Sequence, residues 1–168
     1  MLFRSDAIGL LKKKGIEINL VCTGNIVDYR NEGYANDILN MLTENKIRNQ
    51  VYLLGLIPRA DQLSIFRIST AMIQPSVNEG WSTSVEEAKA LGKTILTSDI
   101  EVHREQIPDN PFEFKSFDAQ DLASKLEKLY FESASREFPD VVTEKQALSQ
   151  YRNNIQKFGE RFLEIAKS

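Results

Sequence analysis

Two glutamates eight positions apart, Glu79 and Glu87, bracket a run of small and polar residues, Gly80, Trp81, Ser82, Thr83 and Ser84. Ahead of them residues 70–74 are β-rich and give way to Pro75 and Ser76. Behind them Val85, Ala88 and Leu91 recur at helical spacing. The segment therefore predicts a strand, a polar loop and a helix beginning near Thr83. The start of a helix carries N–H groups without internal partners and a partial positive charge, which suits a phosphate or diphosphate, and Gly80 would let the backbone come close to it. The carboxylates have two local readings. Thr83 with Glu86, and Ser84 with Glu87, both fit the capping box, and only one register can be used. If Thr83 caps, Glu86 is spent on the helix start and Glu87 is left facing a crevice or solvent. Glu79, beside Gly80, can equally be an ordinary turn residue.

The elements that must position these groups alternate along the chain. Short β-rich runs at residues 16–22, 50–54, 70–74 and 93–97, with a weaker one at 112–114, each meet turn-forming residues at their ends, among them Gly24 and Gly55. Helical faces lie between them. Phe3, Ala7 and Leu11 share one; Tyr34, Ile38, Met41 and Leu42 share another; Leu63 and Phe66 mark a short helix after Pro58. Asp118 opens a helix carrying Leu122, Leu126, Leu129 and Tyr130. A long closing helix at about 144–167 lines up Ala147, Tyr151, Ile155, Phe158, Phe162 and Ile165 along one stripe. Strand–helix–strand units of this length imply an α/β fold with parallel strands, right-handed crossovers and ligands at the strands' carboxyl ends.

Composition narrows the classes. With 168 residues, 42% hydrophobic and 27% charged, the chain can bury one real core, and disordered or low-complexity readings are excluded. Acidic residues outnumber basic ones, 24 against 21, which argues against nucleic acid as a partner. One cysteine, Cys22, and one histidine, His103, leave no internal disulfide and no His/Cys metal cluster, and a reducing, cytoplasmic compartment follows as the default. Cys22 reads as a small core hydrophobe and His103 as structural.

The pattern of Pro75, Ser76, Glu79, Gly80, Trp81, Glu87, Ala88, Ala90, Gly92 and Lys93 resembles the Glu-x7-Glu signature of the retaining glycosyltransferases of family 4 (group 1), which have the GT-B fold. Residues 51–58 resemble the family's strand and base-binding loop, and residues 98–105 its segment after the next strand. The resemblance runs from about residue 2 to the closing helix and implies that residues 1–168 form a donor-binding domain, a Rossmann-like parallel sheet flanked by helices. It also implies roles. Glu87 would accept hydrogen bonds from the ribose of a UDP- or GDP-sugar, and Glu79, the candidate catalytic residue, would contact hydroxyls of the donor sugar. Backbone N–H groups of Gly80, Trp81 and Ser82 would face the sugar and diphosphate. Leu56 and Ile57 would hold the base through the main chain, and Gly24 would lie near the cleft. Trp81 stands where many relatives carry Phe and Ser82 where many carry Gly, which leaves sugar recognition open. No metal or other cofactor is implied.

In that family a further strand, a pair of cations for the diphosphate and an N-terminal acceptor domain precede the helix in which this sequence begins. The resemblance thus predicts that the sheet lacks a central strand, leaving open edges or re-paired strands and promoting self-association. It further predicts that the 168 residues bind donor weakly without turnover. The full-length parent would transfer a hexosyl group with retention to an acceptor glycan or lipid-linked glycan. The setting would be polysaccharide or lipopolysaccharide biosynthesis, at a cytoplasmic or membrane-peripheral location. The alternatives are a non-catalytic α/β nucleotide-binding or interaction module, and a GT-B relative with epimerase or phosphorylase chemistry.

Overall fold

The computed structural model describes residues 2–25 and 33–167, with side chains from Arg4 onward. The elements run α1 (Leu2–Lys13), β1 (Leu20–Thr23), α2 (Tyr34–Glu44), β2 (Val51–Gly55), α3 (Arg59–Ile68), β3 (Ala71–Gln74) and α4 (Thr83–Ala90). There follow β4 (Thr94–Ser98), α5 (Glu101–Gln106), β5 (Glu113–Phe114), α6 (Ala119–Ser133) and α7 (Val141–Ala166). The expected α/β alternation is present, and every described strand pair is parallel.

The described strands form two sheets, β1-β2 and β3-β4-β5. β1 is in register with β2 from Leu20 opposite Val51, with a shift between Cys22 and Thr23. Among the described residues its other edge has no partner strand, and neither has the free edge of β3. Both edges line one cavity of about 1350 Å³, walled by residues 17–23 and 69–74 and by helix side chains that include Arg4 and Ile8 of α1, Phe66 of α3 and Leu126 of α6. Among the described residues β1 and β3 do not pair with each other across this gap. The run at residues 16–22 is a strand only from Leu20, because β2 begins at Val51 and leaves residues 16–19 nothing to pair with.

The main core lies where α1, α2 and α6 pack on the strands. Ala7, Ile8 and Leu11 of α1 are buried with Ile38 and Leu42 of α2 and with Leu122, Ala123, Leu126 and Leu129 of α6. Each fully buried Leu or Ile there contributes about 1.5–3 kcal/mol relative to exposure. The side chain of Phe3, assigned to this face from its spacing, lies outside the described residues. A smaller cluster of Val85, Ala88 and Ile95 seats α4 against β4.

Asp118 caps α6 by accepting from the N–H groups of Gln120 (3.0 Å) and Asp121 (2.9 Å), an arrangement worth about 1 kcal/mol. Asp140 does the same for α7 through the Thr143 N–H. α7 begins three residues before the predicted start and buries no residue of its stripe. Phe158 and Phe162 stack on each other and stay exposed.

Candidate functional site

The parallel strands bring their carboxyl ends to one side, so Gly24 after β1, Gly55 closing β2, the loop 75–82 after β3 and Asp99 after β4 share an edge. Gly24 and Gly55 both have positive φ, +107° and +68°, which side chains rarely tolerate, and the Gly24 N–H donates to the Gly55 carbonyl at 2.8 Å. These two turns clear the strand ends. Leu56, directly after Gly55, is 81% exposed and Ile57 is half-buried.

The loop after β3 is tied down by side chains from both flanks. Gln74, the last residue of β3, donates its amide to Glu79 Oε1 at 3.0 Å and to Ser82 Oγ at 2.7 Å. Ser82 is buried and is the N-cap residue of α4 by position, but its hydroxyl makes no capping bond. Instead Gln106, buried at the end of α5, accepts from the Ser82 N–H (3.3 Å) and donates to the Ser82 carbonyl (2.9 Å) and to Glu86 Oε1 (3.0 Å). Farther back, Ser98 Oγ donates to the Ser76 carbonyl, and Nδ1 of His103 lies 3.0 Å from Ser98 Oγ and 3.1 Å from its carbonyl. Since Ser98 gives its one hydroxyl proton to Ser76, Nδ1 of His103 must carry the proton in that contact. The buried His103 is thus a brace for the loop.

Two expectations are corrected here. Neither predicted capping box forms: α4 begins at Thr83, so Thr83 and Ser84 are helical residues rather than caps, and Glu86 serves Gln106 and Lys89. Nor does the Ser82 N–H face a ligand, because Gln106 already accepts it.

Glu87 is free of any capping duty and is held from across the cleft. Arg59, at the start of α3, meets it with both guanidinium nitrogens, 2.8 Å to Oε1 and 2.9 Å to Oε2, the bidentate geometry that fixes a carboxylate in orientation. Arg59, Glu87, Thr83, Ser84, Gln74, Leu54 and Thr23 all line the large cavity. Glu79 does not line it; it is half-buried and bonded to Gln74, which does. Gly80 and Trp81 are exposed, and nothing lies within 4 Å of where a Gly80 Cβ would be. Space beside that backbone is open, and its φ lies outside the left-handed region, so the fold itself does not require glycine at this position.

Nearby groups are tuned by their neighbours. The Ser116 hydroxyl and N–H, at 2.7 and 2.8 Å, hold the Asp99 carboxyl below the usual range and tie the end of β4 to the turn before α6. Burial pushes the Cys22 thiol up, with Arg4 pulling the other way. Burial also lowers the Lys93 amine, which caps the end of α3 by donating to the Arg67 carbonyl at 2.6 Å.

Sequence reasoning missed Arg59, Gln74 and Gln106. An amide closing the otherwise apolar β3 was a readable signal for Gln74. Arg59 and Gln106 meet their partners 28 and 24 positions away, and no local pattern marks such pairs.

A parallel α/β unit flanked by helices, with glycine turns and a braced loop at its strand ends, matches the fold of GT-B glycosyltransferases of known structure. A glycosyltransferase from Rickettsia africae superposes with a TM-score of 0.74 at 22% identity, over 99% of this chain and 44% of that one. Anabaena HepE, solved in complex with UDP and glucose, gives 0.70 at 16% identity over 92% and 44%. Sucrose-phosphate synthase from Thermosynechococcus elongatus gives 0.69 at 16% over 98% and 43%. The chain therefore spans less than half the length of these structures. Among curated protein sequences none matches it significantly. The family described as glycosyl transferases group 1 matches residues 5–146, and the chain belongs to that family.

Proposed function

We propose that this chain is the donor-binding part of a retaining glycosyltransferase, acting on a UDP- or GDP-hexose. Glu87, oriented by Arg59, accepts hydrogen bonds from the ribose hydroxyls. Glu79 receives hydroxyls of the donor sugar and is the candidate catalytic residue. The N–H groups of Gly80 and Trp81 and the first turn of α4 face the sugar and diphosphate, Leu56 and Ile57 flank the base, and Gly24 borders the cleft.

The observation that carries the reading is the placement of the two glutamates around α4, Glu79 in the loop before it and Glu87 in its second turn. Glu87 lines the gap between the open edges of β1 and β3 together with Thr23 and Gln74, which lie at the strands' carboxyl ends, and Glu79 is bonded to Gln74, with open space beside Gly80. Group 1 membership and the UDP and glucose bound by Anabaena HepE support a nucleotide-sugar donor.

Chemically, the arrangement suits diphosphate departure. Aimed N–H groups and a helix start stabilise negative charge where it develops, without reorganising at the moment of reaction. With front-face attack the departing phosphate takes the acceptor proton, so the step needs no protein nucleophile. Transfer goes to a glycan or lipid-linked glycan of cell-surface polysaccharide assembly, at the cytoplasmic side or a membrane periphery.

Calorimetric titration of the chain with UDP- and GDP-sugars tests the reading. Glu87→Gln should weaken binding roughly 10- to 100-fold, the scale of a lost hydrogen bond to a charged group. Unchanged affinity would refute the assignment and favour a non-catalytic interaction module.

A further inference from the structure

Glu79 sits on a loop whose neighbouring residues, Val77, Asn78, Gly80 and Trp81, are all exposed. A carboxylate there has many orientations open to it unless something holds it. The one group among the described residues that bonds it is the Gln74 amide, at 3.0 Å to Oε1. The same nitrogen also reaches Ser82 Oγ at 2.7 Å, so both amide hydrogens are spent on two fixed acceptors. Ser82 in turn cannot drift, because Gln106 grips its N–H and its carbonyl from a buried position.

We infer that Gln74 is a positioning residue that aims Glu79 at the donor sugar. The inference deepens the donor-binding reading above and rests on it. Gln74 ends a strand whose other residues, Ala71, Met72 and Ile73, are apolar, so packing does not call for an amide here. What the amide does is fix the distance between the end of β3, the start of α4 and the Glu79 carboxylate at one point. It leaves Glu79 Oε2 without a partner among the described residues. Gln74 acts through Glu79 and is not itself given a contact with the sugar.

The consequence is a split between nucleotide and sugar recognition. Glu87 and Arg59 bond each other, and among the described residues no hydrogen bond joins either to Gln74, so loss of the amide should leave the nucleotide part of the affinity alone. The test measures, for the chain and its variants, the dissociation constants of UDP-glucose, UDP-galactose and GDP-mannose and of bare UDP and GDP. The ratio of bare nucleotide to nucleotide sugar is the sugar preference.

For the donor that wild type prefers, Gln74→Leu should lower that preference about fivefold or more while bare-nucleotide affinity stays within about twofold. Glu79→Gln should do the same, and the double variant should be no worse than either single one, since the two residues act as a unit. Should Gln74→Leu fail to fold, Gln74→Asn carries the test, because its amide is one methylene too short to reach Glu79. Equal loss of bare nucleotide and nucleotide sugar, or losses that multiply in the double variant, would mean a merely structural role and overturn the inference. If wild type binds nucleotides with no sugar preference, the role given to Glu79 falls and the inference with it. If wild type binds no nucleotide, the donor-binding reading itself is refuted.

Discussion

Gly80→Ala separates what the fold needs from what the ligand needs. The added methyl would meet nothing within 4 Å, and the backbone at Gly80 is not in the left-handed region. An alanine that fits without strain raises stability by about 0.4–1 kcal/mol, because it removes freedom from the unfolded chain. For a domain of this size that is a rise in Tm of roughly 1–4 °C. The methyl would, however, stand in the open space through which the proposed function brings the donor diphosphate or sugar to the backbone. Forcing a methyl into a filled contact costs about 1–3 kcal/mol, which is roughly a 5- to 150-fold rise in Kd. Thermal unfolding and calorimetric titration on the same preparation read both effects. A Tm that falls by more than about 2 °C would refute the argument from open space. Donor affinity within about twofold of wild type would refute the claim that a ligand passes over Gly80.

Gly92 is the opposite case. Its φ is +65°, and a Cβ there would lie 2.8 Å from Thr143 Cγ2 and 2.9 Å from the Thr143 carbonyl oxygen, where α4 meets the start of α7. Gly92→Ala should cost about 2–4 kcal/mol, the left-handed penalty plus the forced separation, read as a lower urea midpoint. Asp99 supplies a pH dependence. Its folded carboxyl is depressed by Ser116, so its contribution is fully present above the unfolded value of about 3.9 and is lost as the pH falls through the lower folded value. The stability gap between wild type and Asp99→Asn in denaturant titrations should therefore be widest near neutrality and shrink below about pH 4.

Much of the scaffold was legible because periodicity reports burial. β2 to β5 begin and end within about a residue of their apolar runs, and Asp118 announced α6 through its cap. β1 was read too long because alternation of Ile16, Ile18 and Leu20 marks burial rather than pairing. α5 was not read as a helix, since its six residues hold too few turns for a face to show. The stripe of α7 was visible, but its exposure was not: a sequence shows an apolar face without showing what covers it. At the site, spacing alone left Glu79 and Glu87 open between turn, cap and ligand duties, and only the resemblance to the glycosyltransferase signature gave them roles. The capping boxes failed because Gln106, from an unread helix, took over the backbone of Ser82. Local patterns compete with distant side chains, and only the fold decides which one wins.

The most direct measurement is a crystal structure of the chain with the nucleotide sugar it binds best. The account predicts ribose hydroxyls at about 2.6–3.0 Å from the Glu87 carboxylate, which keeps its Arg59 partner, and a sugar hydroxyl on Glu79. An ordered nucleotide elsewhere on the chain, with neither glutamate touching it, would contradict it.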